Sequence, residues 1–274
     1  MPRFFNRIRK QLAKDNKLFQ YSRYAIGEIV LVVIGILVAL QINNWNEHRK
    51  ETELYHSYLL RLKEDFKEIL SATERAKLAE ERLMELGKIL LYSFKSETDS
   101  ISPLQFAIAI DYSAGNYFYK KSSQTWEDLI STGNLKLLKN NTLRNEIGAY
   151  NTLIDQRNFQ IQEWSTFTLK YRELTRSILE PEERIIIIGA WPFGYSDDPK
   201  LQELQLHTTK DEMKLKLRAI PELKGIVGDV VRARKNTVYF IENELELLHN
   251  ILDTIDNEEV KLGQKKVAND PLLP

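Results

Sequence analysis

Over most of this chain apolar residues recur every three or four positions, but from Ala25 to Leu40 they run almost without a break. That run reads AIGEIVLVVIGILVAL, and with Tyr24, Gln41 and Ile42 it makes 19 residues holding a single charge, Glu28. A helix of that length extends about 28 Å, which matches a hydrocarbon core about 30 Å thick. The pattern predicts a transmembrane helix over residues 24–42. A cleaved signal peptide fits less well: the run is long, the QINNWNEH that follows lacks small residues at cleavage spacing, and the basic segment ahead is extended.

Beyond the span, Tyr55, Leu59, Leu62, Phe66, Ile69, Thr73, Ala76, Ala79, Leu83, Leu86 and Leu90 keep the spacing of a helix that buries one seam. The pattern predicts that the membrane helix continues to Phe94. A second stripe runs through Leu143, Ile147, Tyr150, Ile154, Ile161, Trp164, Tyr171 and Ile178 to Pro181. A third runs through Leu223, Val227, Val230, Val238, Ile241, Leu245, Leu248, Leu252 and Ile255. Three long helices with one apolar face each must cover those faces on one another. The expected fold class is all-α: one N-terminal transmembrane helix continuing into an elongated antiparallel helical bundle. The bundle spans residues 43–262, and a disordered tail follows over residues 263–274.

Between the first two stripes, residues 103–110 and 123–130 read as short helices, the second with Ser123 as N-cap. Gly133 is placed to take a left-handed C-cap. Residues 181–199 break the period: Ile185 to Ile188 are followed by GAWPFGYSDDP, which reads as a loop carrying Trp191, Phe193 and Tyr195. Those rings are candidates for partner binding, or for folding back over the end of the bundle.

Charge decides the orientation. Seven basic residues precede the span, from Arg3 to Arg23, whereas Arg49 and Lys50 alone follow it closely. The N-terminus is therefore expected in the cytoplasm and the bundle outside it. Residues 1–23 also place Phe4, Ile8 and Leu12 four apart among arginines and lysines. That suits either an amphipathic helix on membrane lipid or a basic tail that only sets topology. Tyr24 and Trp45 flank the span at interface depth.

Candidate chemistry is sparse. The chain has no cysteine and 4 scattered histidines; Glu47, His48 and Glu51 share a helix surface but read as solvated side chains, not a metal site. No phosphate-binding glycine loop or nucleophile elbow is present, and no cofactor is expected. The 39 basic residues are balanced by 39 acidic ones, which disfavours nucleic acid as a partner.

Glu28 heads a face of the span that includes Val32, Gly35 and Ala39, where another helix could approach closely. A carboxyl in hydrocarbon costs about 2.5–3.5 kcal/mol on insertion scales and ordinarily faces protein or water. Three readings stay open: a protonated carboxyl bonding across a helix pair, a wetted headgroup-level residue beside Arg23, and a proton relay. The last is prompted by an overall layout similar to the smaller subunits of proton-driven motor complexes, which more often carry aspartate.

The segment YAIGEIVLVVIGILVALQINNWNE, Tyr24 to Glu47, closely resembles the opening of an uncharacterised family of Bacteroidota single-pass membrane proteins, the domain of unknown function 6090 type. FFNRIRKQLAKDNK upstream and TWEDLISTGNLKLLKN, Thr125 to Asn140, extend the resemblance. It implies a bacterial inner-membrane location and supplies no catalytic residue. Within the internal motif, Gly133 reads as structural, with a ligand pocket beside Trp126 and Asn134 as the alternative. The leading expectation is a non-enzymatic periplasmic scaffold that self-associates through its span. The alternatives are a ligand-sensing bundle acting through a partner, and an accessory subunit of a proton-driven or transport complex. A polar-lined cavity in the bundle favours the sensor; a dry core favours the scaffold.

Overall fold

The computed structural model describes residues 18–95, 100–187 and 206–268, with side chains described from Tyr24 to Gln264. Most of the basic N-terminal segment lies outside these residues, as do Trp191, Phe193, Tyr195 and the last six positions. Among the described residues the chain is helical, without a strand. The helices are α1 (Leu18–Ser93), α2 (Pro103–Tyr112), α3 (Gln124–Ser131), α4 (Asn141–Thr175), α5 (Pro181–Ile187), α6 (Lys210–Arg218) and α7 (Leu223–Ala268), with a 3-10 turn at Asn134–Leu137. The chain divides into two compact units, Met1–Ser57 and Tyr58–Pro274.

In the first unit, α1 carries a window with mean hydropathy 2.6, of which 0% is buried by the protein. Leu31 is 73% exposed and Ile29 64%. By length and composition this helix is able to cross a membrane.

In the second unit, α1 buries every seam position from Leu59 to Leu90 that the spacing selects. Each fully buried leucine, isoleucine or phenylalanine contributes about 1.5–3 kcal/mol. Paired side chains fix the direction of the helices. Lys63 meets Asp256 and Glu259, Thr73 meets Glu244, Lys77 meets Glu242, and Glu80 meets Arg234, so α1 and α7 run antiparallel. Phe66 packs edge-on against Tyr150 with ring centroids 5.8 Å apart. Tyr150 and Arg157 reach Glu244, while Trp164 and Thr168 lie level with Val230 and Ala233, so α4 is also antiparallel to α7. It follows that α1 and α4 are parallel, and the chain between them must return along the bundle, carrying α2 and α3 on the way.

At one end, Leu83, Leu86 and Leu90 join α2, Tyr171, α6 and Leu223 to Val230 of α7 in a single apolar cluster. Here α1 and α7 approach closely: a Cβ added at Gly87 would lie 2.8 Å from Val231 Cγ2. A side chain at Gly87 would hold the helices apart.

Local signals account for the short helices. Ser102 caps α2 in a capping box with Gln105, with Pro103 in the first turn. Ser123 caps α3 through the Trp126 N–H, and Gly133 takes φ +70°, the left-handed conformation expected of it. Two expectations are corrected. The start of the segment read as a loop is a helix, α5: Pro181 suits a first turn, and the Glu183 carboxylate accepts the Glu180 N–H at 3.0 Å, a cap that outweighs the β-branched isoleucines after it. The last long helix does not stop at Gly263 but continues to Ala268, because Leu262, Gln264, Lys265 and Lys266 around the glycine are good helix formers. Helix α6 was not anticipated, although Thr209 and Glu212 form a complete capping box at its start.

Candidate functional site

Charged residues occupy seam positions on all three long helices. Glu80 lies four after Ala76 and three before Leu83; Arg157 lies three after Ile154; Arg234 lies four after Val230; Glu244 lies three after Ile241 and four before Leu248. Helical periodicity therefore turns all four into the bundle. They are 4%, 3%, 8% and 0% exposed, in that order.

Removing charge from water at these positions requires partners, and the structure supplies them in two pairs. The Glu244 carboxylate accepts hydrogen bonds from Arg157 Nη1 at 2.9 Å, Thr73 Oγ1 at 3.0 Å, the Tyr119 hydroxyl at 2.8 Å and the Tyr150 hydroxyl at 3.5 Å. Glu80 accepts from Arg234 Nη1 at 2.9 Å. Arg234 also donates through Nε to the Ser113 carbonyl at 3.3 Å, and through Nη2 to the Gly115 carbonyl.

The extended segment from Gly115 to Ser123 passes over this polar layer as a strap. It supplies Tyr119 to Glu244 and the Lys121 carbonyl to the Tyr150 hydroxyl at 2.7 Å. Burial pushes the Glu244 carboxyl upward against the opposing pull of Arg157, Thr73 and Lys121. Burial also lowers Arg157, which Glu244 and Glu80 work to hold charged. Lys121 is lowered by burial too, with only the through-space attraction of Glu244 and Glu80 against it.

Beside the layer the bundle opens into a cavity of about 510 Å³. Glu80, Lys121, Arg157, Arg172 and Arg234 form its polar wall; Ile154, Ile161, Trp164, Phe167 and Val230 form its apolar one. Ile161 and Trp164, which their spacing placed in a closed seam, line this opening instead, and Ile161 is 37% exposed. The reason lies in the sequence between Arg157 and Thr168, where Asn158, Gln162, Glu163 and Ser165 leave too little apolar surface to close the seam.

A family model described as "Family of unknown function (DUF6090)" matches residues 28–165. The chain belongs to this family. The DUF6090 match takes in α1 from Glu28 onward, the strap, α3 and most of α4, and so includes Glu80, Lys121 and Arg157 but not Arg234 or Glu244. No curated protein and no solved structure matches the chain significantly.

The segment Thr125–Asn140, which lies within the DUF6090 match, docks on α1. Asp65 accepts the Thr125 N–H and the Ser123 hydroxyl, each at 2.8 Å, Asn134 Nδ2 donates to the Tyr58 hydroxyl at 3.2 Å, and Arg61 pairs with Asp128. The sequence-selected face Glu28, Val32, Gly35 and Ala39 lies wholly in the first unit, on the uncovered part of α1, and a Cβ at Gly35 would meet nothing within 4 Å. His48 Nδ1 stands 3.7 Å from Glu51 on the exposed surface of the same helix, while Glu47 accepts from Asn43. Among the described residues no three histidine, aspartate or glutamate side chains are grouped for a metal ion.

Proposed function

We propose that this protein is a membrane-anchored binding module, without catalysis of its own, whose helical bundle receives a small molecule in the cavity between α1, α4 and α7. The observation that carries this reading is the cavity itself. Its volume falls within the roughly 300–1,000 Å³ of small-molecule sites, and it combines an apolar wall with a few convergent charged groups. An open seam lined by both charged and apolar side chains is what a ligand site requires and a scaffold does not, which favours the ligand-sensing alternative over the scaffold. The one carboxylate on this wall, Glu80, is committed to Arg234 and is poorly placed to act as a general acid or base.

In this reading residues 24–42 cross a bacterial inner membrane, the basic N-terminal segment remains in the cytoplasm against anionic lipid, and the bundle lies in the periplasm. The uncovered apolar window and the seven basic residues ahead of it support that placement. Output passes through self-association or a membrane-protein partner along the face of Glu28, Val32, Gly35 and Ala39. Crosslinking in membranes is expected to give a defined oligomer that Gly35→Leu or Glu28→Gln weakens; an unchanged monomer would remove the span from the output.

The ligand itself is tested by native mass spectrometry of the full chain released from lipid nanodiscs. The native protein is expected to retain a small-molecule adduct, and Ala233→Phe, which fills the cavity from α7, is expected to lose it while keeping its helix content. Absence of any adduct, together with no binding to a panel of small amphiphiles, overturns the proposal.

A further inference from the structure

We infer that the cavity selects a small organic anion with an apolar body, its charged group held on the Lys121 and Arg157 side of the wall. This rests on the reading of the cavity as a ligand site and adds the chemical class. The charges on the wall do not cancel. Glu80 is matched by Arg234 at 2.9 Å and Arg157 by Glu244 at 2.9 Å, behind the wall. Arg172 donates to the Ala114 carbonyl at 3.0 Å. Lys121 has no carboxylate within ion-pairing distance among the described residues; its ammonium rests 5.0 Å from the Tyr119 ring centroid. An ammonium half removed from water without a counter-ion is costly, and an anion entering the cavity removes that cost.

Arg157 gives the second, independent observation. It is 3% exposed, yet its Nε is buried and has no hydrogen-bond partner. A buried guanidinium nitrogen ordinarily donates. Lys121 and Arg157 both line the one cavity, whose lining also includes Ile154, Ile161, Trp164, Phe167 and Val230.

Other ligand charges fit worse. A cationic ligand would meet Lys121, Arg157, Arg172 and Arg234 on the wall against one carboxylate, Glu80, which Arg234 already pairs at 2.9 Å. A neutral ligand fills the apolar side and leaves Lys121 as it was. An inorganic anion leaves the apolar wall unused.

The test compares three probes of one shape, 2-naphthoate, 2-naphthalenemethanol and 2-naphthylmethylammonium, by calorimetry on the full chain in nanodiscs of zwitterionic lipid, with empty nanodiscs subtracted. The carboxylate is expected to bind saturably and roughly ten-fold or more tighter than the alcohol, the scale of a charge-assisted hydrogen bond, with the ammonium weakest. Lys121→Met is expected to abolish the preference for the carboxylate while leaving the alcohol's affinity and the thermal unfolding midpoint near those of the native chain. Lys121→Arg is expected to preserve it. Alcohol or ammonium binding as tightly as the carboxylate, sensitive to Ala233→Phe, overturns the anion assignment and leaves the ligand site standing. A carboxylate preference that survives Lys121→Met also overturns it. If none of the three probes binds and octanoate does not bind either, both the assignment and the site fail.

Discussion

Two levels of the same bundle solve opposite problems. At the level of Leu83 to Leu90 the helices close on apolar side chains, and a Cβ at position 87 of α1 would force a shift of the Val231 methyl on α7. Toward the middle, between Thr73 and Glu80, the same three helices carry two acids and two arginines inward and leave a cavity next to them. Packing at the first level depends on shape and forgives little change of volume. At the second it depends on every charge keeping its partner, which makes that level easy to destroy by one substitution and poor at excluding water. The proposed ligand site lies at the second level, and the close apolar packing of the first is placed to hold it in register.

The largest effect that tests this contrast is expected from Glu244→Leu. Removing the carboxylate leaves Arg157 buried without its counter-charge, and a loss of about 3–5 kcal/mol should follow in chemical denaturation of the full chain in detergent. Adding Arg157→Met to it should restore most of that loss; if it restores none, the layer is held by shape and not by charge pairing. Leu90→Ala, in the closed level, should cost about 2–5 kcal/mol through the cavity it opens and leave probe binding at Lys121 intact. Gly87→Val should cost about 1–3 kcal/mol by forcing α1 away from Val231, read as a lower denaturation midpoint.

Asp65 gives a pH-dependent test outside both levels. Burial opposes its ionisation, but the Thr125 N–H and the Ser123 and Thr125 hydroxyls outweigh that and hold its carboxyl below the usual range. A depressed carboxyl contributes stability that is complete above the unfolded value, near 4, and disappears as pH falls through the folded value. Asp65→Asn should therefore flatten the loss of stability below about pH 4, and a native-like acid slope in the variant would exclude Asp65 as its source. The smallest change is expected for Arg61→Ala: its pairing with Asp128 is solvent-exposed, and about 0–1 kcal/mol is the scale of such pairs.

The apolar seams were legible where they keep the helical period, and not where it is broken: Ile161 and Trp164 line the opening, and Val238, Leu245 and Leu252 are only half-buried. Tyr55 to Leu90 and Leu143 to Ile154 are buried as their spacing requires, and Ser123 and Gly133 act at the boundaries their chemistry implies. Apolar spacing alone hides the candidate site, because Glu80, Arg157, Arg234 and Glu244 are charged residues standing where that spacing selects apolar ones. Their register held the signal: each stands three or four residues from a seam position. Two acids and two bases at such positions on different helices mark a paired interior layer. What spacing alone does not give is which acid meets which base. That depends on α1 and α4 being parallel, a fact carried by the path of the connecting chain and not by any helix alone.

That arrangement also makes one helix the common partner of the other two. The partner of Glu80 and the partner of Arg157 both reside on α7, about 90 to 150 residues after the groups they match. A chain without α7 would leave Glu80 and Arg157 each without the partner it has in the bundle, so the middle level stands or falls with that one helix.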